Sequence, residues 1–238
     1  SHKKAMTTYI LRRLLLSIPV LFGILFVTFA LARLIPGDPC RAMLGEKATK
    51  LVCDEFNHLH GVDKPILVQF GVYVTEIAQG DFGNSFRFSK PITELLKERL
   101  PVTVELSFAA LIVSIIIGVP LGVISAVRHN SWVDIITMVW ANIGVSMPVF
   151  WLGLMLAYIF ALTLKDTAFA LPPSGRLTPG MLTIPFFEIW GLNLTENSFL
   201  FGVFDFVSRM NILNAILSAD WKLLGDAVKH LILPAVAL

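Results

Sequence analysis

The sequence predicts an all-α, multi-pass membrane protein, on the strength of its composition and three long apolar runs. Of the 238 residues, 55% are hydrophobic and 15% are charged, and the mean hydropathy is +0.74. A soluble domain usually has about 25% charged residues, so disorder is excluded and a water-soluble globular enzyme is disfavoured. The formal net charge of +2, from 19 basic and 17 acidic residues, is too small to indicate a nucleic-acid partner.

Each of the three runs lacks charged residues and has the length of a bilayer-crossing helix. A span needs roughly 20 mostly apolar residues to cover a hydrocarbon core of about 30 Å. The runs are Leu14–Ala32, Leu106–Val127 and Ile135–Leu164, of 19, 22 and 30 residues. The third run exceeds one crossing, so we expect it to tilt, to bend at Pro148 or to project beyond the membrane. A cleaved secretory signal is the alternative for the first run, but a signal core has only about 7–15 apolar residues.

Positive charges before the first run set the predicted orientation. Lys3, Lys4, Arg12 and Arg13 stand there without an acidic residue, so the positive-inside rule places the N-terminus in the cytoplasm. The resulting boundaries are 1–8 (cytoplasmic N-terminus, of which 1–5 resemble a tag remnant), 9–34 (first span), 35–101 (extracytoplasmic), 102–127 (second span), 128–134 (cytoplasmic loop), 135–164 (third span), 165–229 (extracytoplasmic) and 230–238 (start of a fourth span). So short a final segment cannot cross a bilayer, so we expect the chain to stop within a fourth span.

The segments assigned to the outside are predicted to be partly helical. Apolar residues recur at helical spacing in 48–60 and 65–78, and 91–100 predicts a short helix that ends at Pro101. Glu105, at the edge of the second run, is then interpreted as a helix-start carboxylate. In the later segment the apolar patches at 185–187 and 199–207 are too short to span, so we expect them to lie on the membrane surface or against the helices.

Cys40 and Cys53 are the only cysteines, and both fall in the first outside segment. An oxidising compartment permits a disulfide between them, and closing so short a loop stabilises it by about 3 kcal/mol. The alternative is two unpaired thiols. The even cysteine count and the compartment favour the disulfide.

Small residues and prolines inside the runs predict where the helices pack and bend. A proline removes a backbone hydrogen bond from a helix, and small residues four positions apart let two helices approach closely. The candidate packing and bend positions are Gly118, Pro120, Gly122, Pro148 and Gly153. Gly and Pro are also common in membrane helices generally. Two runs that each combine regularly spaced small residues with a proline bend nevertheless favour a multi-helix bundle over isolated anchors.

Asn142 and Ser146 form a polar pair on one face of the third run. They are interpreted either as residues lining a transport pathway or as a hydrogen-bonding contact between helices. A third interpretation, in which Ser146 is an intramembrane nucleophile, needs a nearby base, and no histidine lies in the three runs. The sequence also has no Gly–Lys pair and therefore no phosphate-binding loop, and we predict neither a metal nor a cofactor.

Eight short stretches together resemble one family, the membrane subunits of binding-protein-dependent ABC transporters for dipeptides, oligopeptides and nickel. Each stretch is weak alone, but in this order they are specific, and they cover residues 9–238. They are Tyr9–Leu14, Leu34–Pro39, Gly80–Ser85, Pro101–Leu106, Gly118–Gly122, Ser146–Gly153, Pro172–Arg176 and His230–Ala235.

The resemblance implies a six-helix, type I-like permease in a prokaryotic plasma (inner) membrane. It implies a second, similar permease subunit, two cytoplasmic ATP-binding subunits and an extracytoplasmic substrate-binding protein as partners. Transport by alternating access, with peptides or nickel chelates as cargo, is the expected function. The loop through which such subunits dock their ATPase is not in this chain, so no coupling residue can be assigned.

Overall fold

The computed structural model describes residues 2–34, 40–41, 45, 48–59, 61–85, 87–88, 90–195 and 198–238. In this part of the chain the backbone is mostly helical, and its strands form one two-stranded hairpin. The all-α class predicted from the composition is confirmed. The chain divides into two compact units, Ser1–Leu95 and Leu96–Leu238.

The first unit begins with helix α1, His2–Leu34, which contains the candidate span Met6–Leu31. Most of its large apolar side chains are exposed, as contact with lipid tails requires. Helices α2, Lys50–Leu59, and α3, Ile66–Ala78, follow within the two stretches where the periodicity predicts helices.

Aromatic side chains join α1 to α3. Phe70 of α3 is buried, and its ring centroid lies 5.1, 5.0 and 5.5 Å from those of Phe22, Phe26 and Phe29. Tyr73 stacks on Phe29 at 5.1 Å. Aromatic pairs at these separations are each worth about 0.5–1.5 kcal/mol beyond the area that they bury, so this cluster holds α3 along the first helix.

A tight turn and a small hairpin follow α3. Gly80 and Gly83 have φ angles of 84° and 71°, which only glycine adopts readily, and the Asp81 carboxylate accepts a hydrogen bond from the Gly83 N–H at 2.8 Å. Strand β1, Asn84–Ser85, then pairs antiparallel with β2, Lys90–Pro91. The turn ends α3 at Ala78, the last residue of the stretch 65–78 that the periodicity predicts to be helical.

Helix α4, Ile92–Val127, is continuous through Pro101 and Pro120. The prediction of a separate short helix ending at Pro101 is therefore wrong. Pro101 is almost fully buried, so packing outweighs the hydrogen bond that its ring removes. The interpretation of Glu105 as a helix-start residue is also wrong, because it lies well inside α4.

The third apolar run is broken at Met147–Pro148. Helix α5, Trp132–Ser146, ends there, and α6, Val149–Ala157, continues into a π-helix over Tyr158–Thr163, with an angle of 100° between the two halves. A residue before proline is forced out of the helical region, and Met147 is extended at φ −74° and ψ 130°. The run is therefore a bent pair of helices and not one straight rod.

The end of the second unit consists of four further helices. They are α7, Phe186–Ile189; α8, Phe199–Ser208; α9, Asn211–Leu217; and α10, Trp221–Ala237. Phe186 and Phe187 are buried against α8, so the apolar patch at 185–187 packs on a helix. Helix α10 contacts α9 and α6.

Helix α10 starts at Trp221, earlier than the apolar run that begins at His230. The Asp220 carboxylate caps it by accepting a hydrogen bond from the Leu223 N–H at 2.9 Å. A capping aspartate stabilises a helix start by about 1 kcal/mol, and hydropathy alone does not register it. The helix is therefore amphipathic before it becomes apolar.

Length and composition identify two helices of the described residues that are able to cross a membrane. They are Met6–Leu31 and Ile92–Val127. The bent pairs, α5 with α6 and its π-helix, and α8 with α9 at 104°, raise the number to four if each pair is one span. The chain thus has the helices of a multi-pass membrane protein.

Candidate functional site

Asn142 and Ser146 both line a cavity of about 560 Å³ at the bend between α5 and α6. The Asn142 side-chain N–H donates to the Met138 carbonyl of its own helix at 2.8 Å, and both polar residues are exposed. Within the described residues neither makes a hydrogen bond to another helix. The rest of the lining is apolar, from Ile143, Met147, Pro148, Phe150 and Trp151. The bend thus opens a mostly apolar concavity that carries one polar pair.

The predicted small-residue positions fall into two environments. A Cβ built on Gly118 or Gly122 would meet nothing within 4 Å apart from its own helix, because both line an open concavity of about 880 Å³ between α4, α5 and the end of α10. A Cβ on Gly153 would lie 3.9 Å from the Ala237 Cβ. Of these three glycines, only Gly153 therefore meets another helix within the described residues.

Cys40 and Cys53 form a disulfide in the structure, with sulfurs 2.08 Å and Cα atoms 5.3 Å apart. Both residues are buried, at 0% and 5% exposure. Cys53 lies in α2, so the bond ties that helix to the chain just after α1. Residues 35–39, between α1 and Cys40, lie outside the described part.

Sequence reasoning missed an ion pair in the second unit between a buried glutamate and a partly exposed arginine. The Glu105 side chain, 9% exposed, accepts a hydrogen bond from the Ile212 N–H at 2.6 Å and pairs with Arg176 Nη2 at 3.2 Å. The same Nη2 donates to the Arg209 carbonyl. One carboxylate on α4 thus holds both the loop that carries Arg176 and the start of α9.

A signal for this pair is present in the sequence. Glu105 is the acidic residue at the edge of an uncharged run, and Arg176 is the cation of a segment rich in proline and glycine. A buried charge needs a partner, so two isolated opposite charges in an apolar chain are natural candidates for each other.

A second polar cluster connects the same loop to α10. The Asp226 carboxylate accepts hydrogen bonds from the Thr178 N–H at 2.8 Å and the Thr178 hydroxyl at 2.6 Å. Burial by itself would raise the pKa of Asp226, but the hydrogen bonds from Thr178 and the nearby His230 and Lys229 together lower the pKa below its ordinary value. The cluster is therefore stabilised in its ionised form.

A third cluster closes the turn between α4 and α5. The Asp134 carboxylate accepts hydrogen bonds from the Ser125 hydroxyl and from the Asn130 N–H at 3.0 Å, and His129 lies 3.4 Å away. The bonds from Ser125 and Asn130 lower the pKa of Asp134. Asn130 has a φ of 59°, a conformation that asparagine tolerates better than most residues. The loop at 128–134 is thus a tight, hydrogen-bonded turn.

In the part of the chain that the structure describes, no group of three or more His, Cys, Asp or Glu side chains is placed to hold a metal ion. The clusters instead contain single carboxylates bound by N–H and O–H donors from neighbouring elements. Such arrangements fix helices to loops and line cavities.

Comparison with known proteins gives matches over nearly the whole chain. Residues 6–107 match the family described as "Binding-prot-dependent transport system membrane comp, N-term", and residues 118–238 match "Binding-protein-dependent transport system inner membrane component".

Several curated relatives match at more than a third identity. The dipeptide transport system permease protein DppB of Alkalihalophilus pseudofirmus is 41% identical over 233 residues, which are 98% of this chain and 62% of that protein. The di/tripeptide transport system permease protein DppB of Pseudomonas aeruginosa is 36% identical over 234 residues, with the same two shares. The probable D,D-dipeptide transport system permease protein DdpB of Escherichia coli is 35% identical over 219 residues, 92% of this chain and 57% of that protein.

The chain spans about three fifths of the length of these relatives. Its two family matches leave only short stretches uncovered, and its helices include candidate membrane spans, in agreement with an inner membrane component. The chain belongs to the family of binding-protein-dependent transport system inner membrane components.

Proposed function

We propose that the chain is part of a permease subunit that moves di- and oligopeptides across a prokaryotic plasma membrane in an ATP-driven importer. The main observation that supports this proposal is the family match over residues 6–107 and 118–238. Helices able to span a membrane support the proposal, because they supply the barrier-crossing part that a permease needs.

Peptides are the proposed cargo in preference to nickel chelates. The three relatives described above are named for dipeptides, di/tripeptides and D,D-dipeptides. These names favour peptide cargo over nickel chelates.

Peptide hydrolysis at Ser146 is not favoured. A serine nucleophile needs a base within hydrogen-bond reach, and the cavity that Ser146 lines is formed by Asn142 and apolar residues, with no His, Asp or Glu. The relatives are named as permease proteins, which agrees with a subunit that carries no covalent chemistry.

Four partners are proposed: a second permease subunit, a pair of cytoplasmic ATP-binding subunits and an extracytoplasmic substrate-binding protein. The family description names a binding-protein-dependent transport system, which supports separate substrate-binding and ATP-binding partners. The open concavity at Gly118 and Gly122 supports a contact with a neighbouring helix from outside this chain.

The proposed orientation places the N-terminus and the turn at 128–134 in the cytoplasm. Residues 35–101 and 165–229 are then extracytoplasmic and form the landing surface for the binding protein. The positive charges before the first span and the disulfide between Cys40 and Cys53 support this orientation, because disulfides persist in oxidising compartments. A cysteine introduced at the exposed Asp63, in a chain whose Cys40 and Cys53 are replaced by serine, should react with an impermeant maleimide in whole cells, and labelling only after lysis would contradict the orientation.

The proposed mechanism is alternating access, in which bent helices rock about close helix contacts. The 100° bend at Pro148 and the contact of Gly153 with Ala237 support it, because one provides a hinge-like break and the other a close packing point. Asn142 and Ser146, which line the concavity at the bend, are the proposed polar residues of the pathway.

Reconstitution tests the proposed function. The complete complex in proteoliposomes should take up a labelled tripeptide in a saturable reaction that requires ATP and the binding protein. A matched preparation whose ATP-binding subunits are catalytically inactive should give only background uptake. Peptide leakage that is ATP-independent and does not saturate would refute the proposal.

A further inference from the structure

Charged residues on α4 locate the two boundaries of the hydrocarbon core. The uncharged run Leu106–Val127 lies between Glu105 and Arg128, and its 22 residues rise about 33 Å as a helix, which matches a core of about 30 Å. Glu105 therefore marks the boundary on the side that the proposed orientation makes extracytoplasmic. Because its carboxylate accepts a hydrogen bond from the Ile212 N–H at 2.6 Å, the start of α9 lies at the same level.

Helices α9 and α10 form a hairpin that rises from this level away from the membrane. Residues 218–220 join the two helices, and helices in contact across so short a connection run antiparallel. Helix α10 returns to the boundary at His230, which lines a small cavity together with Glu105, and then continues into the uncharged stretch Leu231–Leu238. Trp221 stands nine residues before His230, so the tip of the hairpin lies about 13 Å outside the core.

Helix α8 runs across the base of this hairpin. It ends at Ser208, and α9 begins at Asn211 with an angle of 104° between the two helices. Since α9 runs alongside α10, which enters the membrane, a helix at nearly a right angle to α9 runs in the membrane plane. Its ten residues rise about 15 Å, too little to cross a bilayer. Helix α8 thus lies along the boundary that Glu105 marks.

Helix α7 covers α8 from the side away from the membrane. The Phe186 N–H donates to the Asn214 side chain at 2.8 Å. The ring N–H of Trp190, which follows α7, donates to the Leu217 carbonyl at 3.1 Å. Both acceptors lie beyond the start of α9 toward the hairpin tip, so α7 is held outside the boundary. The Phe204 ring of α8 packs against Phe186, with centroids 5.6 Å apart.

The opposite face of α8 is apolar and exposed. Phe199 and Val203 are one turn apart and project from the side opposite to the buried Ser208, since each residue turns an α-helix by about 100°. Phe199 is 84%, Leu200 57% and Val203 40% exposed. We call these three residues the apolar face of α8. Because α7 packs on the outer side of the helix, the apolar face points toward the membrane.

The polar side chains of α8 are engaged elsewhere. The Asp205 carboxylate, 22% exposed, pairs with Arg209 Nε at 2.8 Å, and the Ser208 hydroxyl donates to the Asp205 carbonyl at 2.8 Å. Asp205 is two residues from Val203, which turns it to another side of the helix. The apolar face is therefore free of charged groups that would have to be removed from water.

From this arrangement we propose that α8 is an interfacial helix whose apolar face inserts among lipid acyl chains. A helix of this kind lies in the membrane plane with its apolar side about 5–10 Å inside the boundary of headgroups and acyl chains. The lipid is in the leaflet on the Glu105 side, which is the outer leaflet in the proposed orientation. The inference depends on the insertion of α4 and α10 in the membrane, and it holds whatever cargo the subunit carries.

Collision accessibility of nitroxide spin labels tests the proposal in the complete complex in proteoliposomes. The disulfide leaves this chain without a free thiol, so Phe199→Cys and Val203→Cys each place one label, with partner subunits that lack free cysteines. Ile116→Cys, exposed near the middle of α4, is the matched lipid control, and Lys222→Cys, exposed at the hairpin tip, is the matched aqueous control. The ratio of oxygen to nickel-chelate accessibility should place both α8 labels about 5–10 Å below the lipid phosphates.

Two results would overturn the inference. Labels on α8 as accessible to the nickel chelate as the Lys222 label would show that the apolar face lies in water. Labels accessible to neither reagent would show that a protein surface, from a partner subunit or the binding protein, covers it.

A second measurement needs no substitution and guards against a label that disturbs α8. A phosphatidylcholine with a diazirine near the carbonyl end of its acyl chain should form photoadducts within residues 199–203 of the unmodified transporter, found by peptide mass mapping. The peptide that contains Lys222 is the internal control and should carry none. Adducts in α4 without any in residues 199–203 would contradict the proposal, because the lipid would then reach the span and not the apolar face.

Discussion

Replacement of Glu105 by alanine should destabilise the second unit by about 2–4 kcal/mol. The carboxylate accepts a short bond from the Ile212 N–H, and hydrogen bonds to charged groups are worth about 1.5–3 kcal/mol. The Arg176 side chain is 40% exposed, so the ion pair itself adds only about 0–1 kcal/mol. Most of the loss therefore comes from the orphaned backbone N–H of Ile212.

A thermal unfolding series on the complete protein in detergent measures this effect. On the scale of soluble domains of this size, Glu105→Ala should lower the midpoint by roughly 5–15 °C. Glu105→Gln keeps an acceptor for the backbone and should lose about 1–2 kcal/mol. The matched control is Glu188→Ala, at an exposed glutamate, which should stay within about 0.5 kcal/mol of the wild type.

A double-mutant cycle tests whether the lost stability comes from the hydrogen bond of the Ile212 N–H or from the ion pair with Arg176. Glu105→Gln combined with Arg176→Gln should show a coupling of no more than about 1 kcal/mol, because the arginine is partly in solvent. If Glu105→Ala shifts the midpoint no further than Glu188→Ala, the carboxylate does not hold α9 and the reasoning is wrong. A coupling free energy of several kcal/mol would instead show that most of the lost stability comes from the ion pair with Arg176.

Three further perturbations have defined outcomes. Gly153→Leu should push α6 away from Ala237 and lower the free energy of unfolding by about 1–3 kcal/mol. Gly225→Leu, at an exposed position where a built Cβ meets nothing within 4 Å, should cost far less, and equal losses would contradict the packing. Folding lowers the pKa of Asp226, so its carboxylate contributes stability above the unfolded pKa of about 3.9, and this contribution is lost as the pH falls below that value. The thermal unfolding midpoint should therefore decline more steeply in acid for the wild type than for Asp226→Asn, and parallel curves would refute this. Cys53→Ser removes the disulfide that closes a loop with a sequence separation of 13, and should lower the stability of this region by about 3 kcal/mol. Proteolysis between α1 and α3 should then be faster, and an unchanged cleavage rate would argue against a stabilising role of the disulfide.

The elements that sequence reasoning predicted well are those fixed by local patterns. An uncharged run of sufficient length predicts α1 and most of α4, and apolar residues at helical spacing predict α2 and α3. Each of these signals is read from neighbouring residues, so no knowledge of tertiary packing is needed.

Prolines show where local reasoning stops. Pro148 lies at a sharp break, whereas Pro101 and Pro120 lie inside one continuous helix. The residue type is the same in all three cases, and Pro101 differs in being almost fully buried. Pro120 and Pro148 are both exposed, yet only Pro148 lies at a break, so neither the residue type nor its burial predicts the outcome.

The polar clusters were harder to predict because their partners are far apart in the chain. Glu105 and Arg176 are 71 residues apart, and Thr178 and Asp226 are 48 apart. Both pairs end on the same loop, so that loop is tied at one point to the long helix α4 and at another to α10. A displacement of α4 relative to α10 must therefore carry the loop with one helix or break a bond to the other. In the proposed transport cycle, this loop is therefore the extracytoplasmic element whose bonds change when α4 moves relative to α10. Charged residues are scarce in this apolar chain, and the carboxylates of Glu105 and Asp226 lie where a loop has to stay bonded to a helix.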